Sequence, residues 1–444
     1  MAAKKNPIKA SERSAKKQAV PPTAVKAPVV KAPGDKVSTG KAPADRSSRP
    51  VKEQRFTGRM LVRLDPKVSA ASVIRLAKTK GLQLITTSDS GDGSLEQALR
   101  QADGIIFEKL RIAVVNEAGI APLQQLQALR NSPFLSGEPE RYLRALHPAP
   151  KGKGKGATLK DTTVATWGIH AINVQHNGYT GKGVKIAVLD TGFDFTHPDF
   201  TGRTLHRRSF VGTRQAKDKE GHGTHCAGIA GGGRKGRDGA RYGVAYGSRL
   251  YIGKILDDAG EGTDGQALAG IEWALEKGCQ VISMSFGAPA EEGQGHSVVF
   301  EQVAQIAMAN NCLLIAATGN ESDHSEGLVA SVNHPANCPS VLAVGALTQD
   351  MQVADYSCAG TDLAGGQVDI AAPGDHILSA RPGGGYRRES GTSMATAFVA
   401  GVAALLWEQH PQAGAGDIWV KLIQQARRLS LPASEVGGGL VYVR

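Results

Sequence analysis

Two histidines three residues apart raise the first chemical question. His222 and His225 lie in GHGTHCAG (residues 221–228), and the thiol of Cys226 follows the second. A zinc-binding helix of the H-E-x-x-H kind needs its histidines four apart with a glutamate between them. Neither condition holds. The five cysteines, Cys226, Cys279, Cys312, Cys338 and Cys358, form no C-x-x-C pair, so no thiolate metal site is expected, and buried thiols are. A catalytic base needs one imidazole with room beside it for a substrate. His222, at the expected start of a helix between Gly221 and Gly223, meets that need. The positive end of the helix dipole disfavours an imidazolium there, so a neutral base is expected. His225, one turn later, is expected to be structural.

Three further positions could work with such a base. Asp190 ends the apolar run VKIAVLD (184–190) and precedes Thr-Gly. Alone, it reads as an aspartate at a glycine turn. An aspartic protease would need a second D-T-G loop to share one proton between two carboxylates, and the chain has one. Ser393 stands in ESGTSMATAFVAG (389–401). Alone, that segment reads as a helix cap. As a nucleophile, Ser393 would sit at the first turn with its hydroxyl exposed and its N–H aimed at a developing oxyanion. Asn320 in AATGNES (316–322) follows an apolar run at a glycine turn. It reads as a turn residue or as a second oxyanion donor.

These residues need a scaffold. From about Lys160, apolar β-branched runs at 184–190, 248–256, 280–286, 312–317 and 341–347 alternate with helical stretches at 265–278 and 298–311. Such runs suit strands buried on both faces. Residues 393–409 are apolar nearly all round and are expected to form a central buried helix. The expected class is α/β, a mainly parallel sheet with helices on both faces, and active sites in such folds lie at the carboxyl ends of strands. Ahead of it, strand and helix patterns at 59–64, 68–81, 82–87, 93–102, 104–116, 121–131 and 139–146 read as a small ferredoxin-like α+β domain. In its second main helix, Pro122 is expected near the start, with Leu123, Leu126 and Leu129 on one face. The expected organisation is a disordered basic tail (1–54), this domain (55–146), a Gly/Lys/Pro linker (147–160) and the α/β domain (161–444).

Taken together, Asp190, His222, Asn320 and Ser393 resemble the catalytic set of subtilisin-like serine proteases. The similarity is carried by IAVLDTG (186–192), HPDF (197–200), GHGTHCAG, ISMSFG (282–287), AATGNES, IAAPGDHILSA (370–380) and SGTSMATAFVAG, and it spans about Thr163 to the C-terminus. The resemblance implies a subtilisin-like fold and a serine endopeptidase acting through an acyl-enzyme. Ser393 is then the nucleophile, His222 the proton carrier and Asp190 its orienting partner. Asn320 and the Ser393 N–H hold the oxyanion. Ser285, Phe286 and Gly287 would border the primary specificity pocket, with Gly260, Glu261 and Gly262 as the opposite edge, both pairing with extended substrate. Cys226 implies the proteinase K-like branch. The N-terminal element order is similar to the family's inhibitory propeptides, which implies a zymogen cut between residues 146 and 160, with Leu146–His147 as one candidate bond.

The resemblance requires no cofactor. A structural calcium belongs to many members, but the loop that would hold it reads GGGRKGRDGARYG (231–243), which is basic, and Asp199 has no obvious partner in the sequence. The implied partners are protein or peptide substrates and the chain's own N-terminal domain in the cleft. The net charge of +11 is concentrated in residues 1–50, with twelve Lys and Arg against three Asp and Glu. That tail is expected to be a solvated arm rather than a nucleic-acid or anionic-surface binder. No run of 18 apolar residues suggests a membrane span, and no apolar run follows the basic N-terminus, so no secretory signal is read and a cytoplasmic location is favoured, with export by another route, as a propeptide implies, the alternative. A pseudoprotease used as a binding scaffold is the rival from another class. The filled catalytic positions argue against it.

Overall fold

The computed structural model describes residues 55–91, 94–148, 159–213, 215–234, 236, 239–290, 295–360 and 366–444. The basic tail and most of the Gly/Lys linker lie outside the described residues.

The N-terminal elements run β1 (Phe56–Leu64), α1 (Ala70–Lys78), β2 (Leu84–Thr86), α2 (Leu95–Leu99), β3 (Gly104–Phe107), β4 (Ile112–Val115), α3 (Glu117–Gln127) and β5 (Phe134–Ala145). The strands lie in the order β5-β1-β4-β3-β2; β1 is antiparallel to β4 and β5, β3 to β4, and β2 runs parallel to β3. Side chains alternate between the two faces of a strand, and here both faces are apolar. Val62, Ile106, Ala113 and Val115 pack with Val73, Ala77, Leu123 and Leu126 of α1 and α3. Their neighbours Leu61, Ile105, Phe107, Ile112 and Val114 face the other way, into a cluster shared with the following α/β fold. The third helix begins at Glu117, five residues before Pro122. Asn116 caps it by accepting the Gly119 N–H, and Pro122 sits in its interior. Leu129 lies past its end and is exposed. The expected three-leucine face is therefore two leucines long.

The α/β fold follows as α4 (Trp167–Ala171), β6 (Lys185–Asp190), β7 (His206–Ser209), α5 (His222–Gly231), β8 (Arg249–Lys254), β9 (Glu261–Thr263), α6 (Asp264–Glu276), β10 (Val281–Met284), β11 (Phe286–Gly287), α7 (Val298–Ala309), β12 (Leu313–Ala317), β13 (Leu342–Leu347), β14 (Ile370–Pro373), β15 (Ile377–Ala380), β16 (Tyr386–Glu389), α8 (Thr392–Gln409), α9 (Ala415–Gln425) and α10 (Ala433–Val436). Seven strands form one sheet, ordered β14-β13-β12-β10-β6-β8-β7, and every pairing in it is parallel. Helix α8 is buried from Thr392 to Trp407. It packs with α5 in one cluster that includes Ile186, Val188, Leu313 and Val344 of the sheet; Leu189, Ile282 and Leu314 belong to the opposite cluster with α6 and α7. Asp190 and Ala317 end neighbouring parts of this sheet, so the loops after them open on one edge, where α5 and α8 begin.

The N-terminal sheet reaches into the α/β fold through β5. Its C-terminal end lies between two short strands of the α/β fold, antiparallel to both. Leu143 pairs with Gly262 and Arg144 with Glu261 on one side; Ala145 pairs with Phe286 and Arg144 with Gly287 on the other. Earlier in β5, Glu140 accepts the Gly265 N–H at the start of α6 (2.9 Å), and Glu138 accepts from Ser297, the cap of α7. Carboxylates at helix N-termini satisfy otherwise unpaired N–H groups and complement the dipole.

Candidate active site

Asp190 is the last residue of β6 and His222 the first of α5. The imidazole Nδ1 lies 2.8 Å from Asp190 Oδ1 and 3.0 Å from Oδ2. In the neutral ring this arrangement puts the proton on Nδ1 and a lone pair on Nε2, and Nε2 is buried with no hydrogen-bond partner among the described residues. Helix α5 approaches the β6 loop closely because residue 223 is glycine, whose N–H donates to Thr191 Oγ1 at 2.9 Å. Asp218 braces the same corner, accepting from Thr191 Oγ1, Gly221 N, Thr224 N and Thr224 Oγ1.

The helix dipole does not set the charge of His222. Burial disfavours the imidazolium, but Asp190 outweighs burial and holds the pKa well above the ordinary imidazole value. The expectation of a base kept neutral by the dipole is therefore corrected: a full charge at hydrogen-bond distance exceeds a partial charge at a helix end. His225 behaves as a structural residue. Its Nε2 lies 3.0 Å from Ile377 O, and burial, with the His222 and Arg387 charges, pulls its pKa down to about 3.

Ser393 occupies the first turn of α8 but is fully buried, not exposed. The end of β5 covers it. Its hydroxyl lies 3.1 Å from Ser285 O and 3.3 Å from Leu146 O, the carbonyl that follows β5. Asn320 turns its Oδ1 to the Thr392 N–H (3.0 Å) and hydroxyl (2.9 Å), which points Nδ2 away from them. That Nδ2 is buried without a hydrogen-bond partner among the described residues. A Cβ placed on Gly391 would touch both Asn320 Nδ2 and Leu146 O, at 3.2 Å each, so the amide and this carbonyl flank one small space. Cys226 Sγ lies 4.0 Å from both His222 Nδ1 and Ser393 O, and burial pushes its thiol up to about 11.

The six residues expected to border the substrate lie around the end of β5. Ser285 Oγ donates to Ser393 O (3.1 Å), Phe286 and Gly287 pair with β5, and Gly260 O accepts the Ala145 N–H (2.9 Å) beside Glu261 and Gly262. Thus a hydroxyl and an amide donor flank the carbonyl of an extended strand, and the His222–Asp190 pair stands nearby, its Nε2 making no hydrogen bond to Ser393 among the described residues. That set can perform acyl transfer.

The comparisons with known proteins point the same way. Residues 181–439 match the Peptidase_S8 family, described as the subtilase family. Subtilisin of Bacillus pumilus is 38% identical over 276 residues, covering 62% of this chain and 92% of that protein. Subtilisin E of Bacillus subtilis is 38% identical over 276 residues, covering 66% of its length. Among solved structures, Sphericase aligns with a TM-score of 0.55 at 30% identity, covering 63% of this chain and 98% of its own. The chain belongs to the subtilase family.

As a subtilase it is a serine-type endopeptidase acting on protein substrates, and its catalysis needs no cofactor. Among the described residues the only cluster of three metal-ligating side chains is Asp190, His222 and Cys226, the catalytic corner itself. At the end of α5 the donor set that the described residues offer does not fit calcium. Asp199 Oδ2 accepts the hydroxyls of Tyr242 (2.7 Å) and Tyr386 (2.9 Å), and the Arg203 guanidinium donates to the carbonyls of Gly231 and Ser248. Asp199 does have partners, both distant in sequence, which corrects the expectation from the local motif. No helix among the described residues is long and apolar enough to cross a membrane. All five cysteines are free and buried.

Sequence reading missed Glu220, Thr392 and Asp218. Each stands within four residues of a catalytic position, and that proximity was the available signal.

Proposed function

We propose that this subtilase is made as a zymogen and cuts its own chain at Leu146–His147. In this reading Ser393 attacks the Leu146 carbonyl carbon. His222 takes the Ser393 proton and delivers it to the leaving amine, and Asp190 orients the ring. Asn320 Nδ2 and the Ser393 N–H receive the oxyanion. Residues 55–146 are a ferredoxin-like propeptide domain that stays in the cleft as an inhibitor, residues 147–160 an activation linker and residues 161–444 the catalytic domain.

The observation that carries this reading is the position of Leu146 O, 3.3 Å from Ser393 Oγ, at the end of a strand paired on both sides like a substrate. A carbonyl held in register beside the hydroxyl that would attack its carbon gains from proximity and orientation. The thiol of Cys226 beside His222 supports the proteinase K-like branch. It leads to a prediction that mercurials inhibit the processed enzyme and act more slowly on the precursor, in which β5 covers the site. Activity indifferent to mercurials would count against the branch.

The test is to express the full chain as wild type and as Ser393→Ala and follow both by intact mass. Wild type should split at the 146–147 junction while the variant stays whole. A junction far outside residues 146–160, or equal splitting of both, would overturn self-processing.

A further inference from the structure

His147, the residue after the proposed cut, meets a carboxylate. Its Nε2 lies 3.3 Å from Glu220 Oε1, and its ring stands edge-on to the His222 ring, centroids 4.8 Å apart. The other oxygen of Glu220 accepts the His222 N–H at 2.6 Å, so the carboxylate is anchored on the catalytic helix and not left to swing. Burial would raise its pKa, but the contacts with His147 and the His222 N–H prevail and bring it down to about 2. The Arg387 guanidinium, which borders Gly221, is paired with Glu389. The ammonium of neighbouring Lys219 goes to Asp258 instead. A second carboxylate, Glu389, also lies within electrostatic reach of His147 and is paired with Arg387. The chain's own sequence after the cut fits this field: residues 147–160 contain Lys151, Lys153, Lys155 and Lys160 and no Asp or Glu.

We propose that Glu220 is a specificity-determining residue that selects a basic side chain (His, Lys or Arg) immediately after the bond to be cut, in foreign substrates as in the chain's own junction. The proposal rests on the reading that Leu146–His147 spans the site. A fixed, partly desolvated carboxylate favours a cation beside it and disfavours an anion, and such complementarity discriminates partners more than it adds raw affinity.

The experiment uses full-length chain, allowed to process, and internally quenched peptides that share Leu-Arg-Ala-Leu before the bond. The next residue is Arg, Lys, His, Gln or Glu, and product masses fix the bond cut. Wild type should show kcat/KM at least about fivefold higher for Arg or Lys than for Gln, with Glu lowest, and the ratio should shrink at high salt. Glu220→Gln should erase the ratio, Glu220→Asp keep it and Glu220→Lys invert it. A purely structural Glu220 would instead lower all peptides together and leave the ratio intact. A flat wild-type profile, or a ratio that survives Glu220→Gln, overturns the proposal. N-terminal sequencing of the processed enzyme judges the junction separately. A junction elsewhere with a Glu220-dependent ratio sinks only the self-cleavage reading, and a cut at 146–147 with a flat profile sinks only the subsite. A preparation inert on every peptide overturns both.

Discussion

At the scale of single residues, the site is a set of polar groups whose partners leave the reactive atoms unspent. Asn320 gives its oxygen to Thr392 and keeps its N–H donors for the space beside the nucleophile. Asn320→Ala should therefore lower kcat about 10²–10³-fold with little change in KM, because the bond is made to charge that develops in the transition state. Steady-state kinetics on a peptide substrate checks this. His222 carries a pKa held above the ordinary value by Asp190 against the opposing effect of burial. A raised pKa keeps the inactive imidazolium to higher pH, so activity is lost as pH falls through that value. The rising limb of kcat/KM against pH should lie above about 6.5. In Asp190→Asn the limb should move down, and kcat should fall by about 10⁴. A limb that does not move would remove Asp190 from the electrostatics of the base.

At the scale of elements, catalysis depends on how near α5 comes to the loop after β6. A Cβ on Gly223 would lie 2.3 Å from Gly192 O, and that backbone cannot yield without moving Asp190's loop. Gly223→Ala should cost about 1–3 kcal/mol and disable the base. Gly178→Ala, whose added methyl meets nothing within 4 Å, should do neither. Denaturant melts on a Ser393→Ala background, which prevents self-digestion, measure the first effect; peptide hydrolysis measures the second. Equal behaviour of the two variants would show that the contact is not needed.

At the scale of the whole molecule, the N-terminal sheet and the α/β fold share one apolar cluster and several buried carboxylates. Glu272 of α6 accepts the Lys109 N–H (2.8 Å) from the turn between β3 and β4, and burial raises its pKa to about 7. Glu276 on the same helix and Arg208 across the gap are the other charged groups lining that gap. When the N-terminal residues leave, Glu272 returns to water and to an ordinary carboxylate pKa near 4.5. Association thus takes up a proton between the two values. The stabilisation is fully present below about 4.5 and is lost as pH rises through about 7. After cleavage, the N-terminal fragment should stay bound near pH 6 and elute separately near pH 9 in size-exclusion chromatography. Glu272→Gln should flatten that dependence, and wild-type retention equal at both pH values would contradict it.

The sequence by itself determined the class of fold, the parallel strands and the identities of Asp190, His222, Asn320 and Ser393. These features are local: an apolar run, a glycine turn and a helix start each leave a mark within a dozen residues. The run at 104–116, read within an α+β unit, folds as the strands 104–107 and 112–115, and their burial on both faces appears only in the fold. Other features depend on residues far apart in the chain, and no local pattern encodes them. The pairing of β5 between β9 and β11, the burial of Ser393 beneath Leu146, and the use of Asp199 by two tyrosines are of this kind. For His222, the resemblance named Asp190 as the stabilising partner, but only the fold shows that its charge outweighs the helix end. The helix end is visible in sequence, but the carboxylate that outweighs it lies 32 positions away and arrives only when the chain folds.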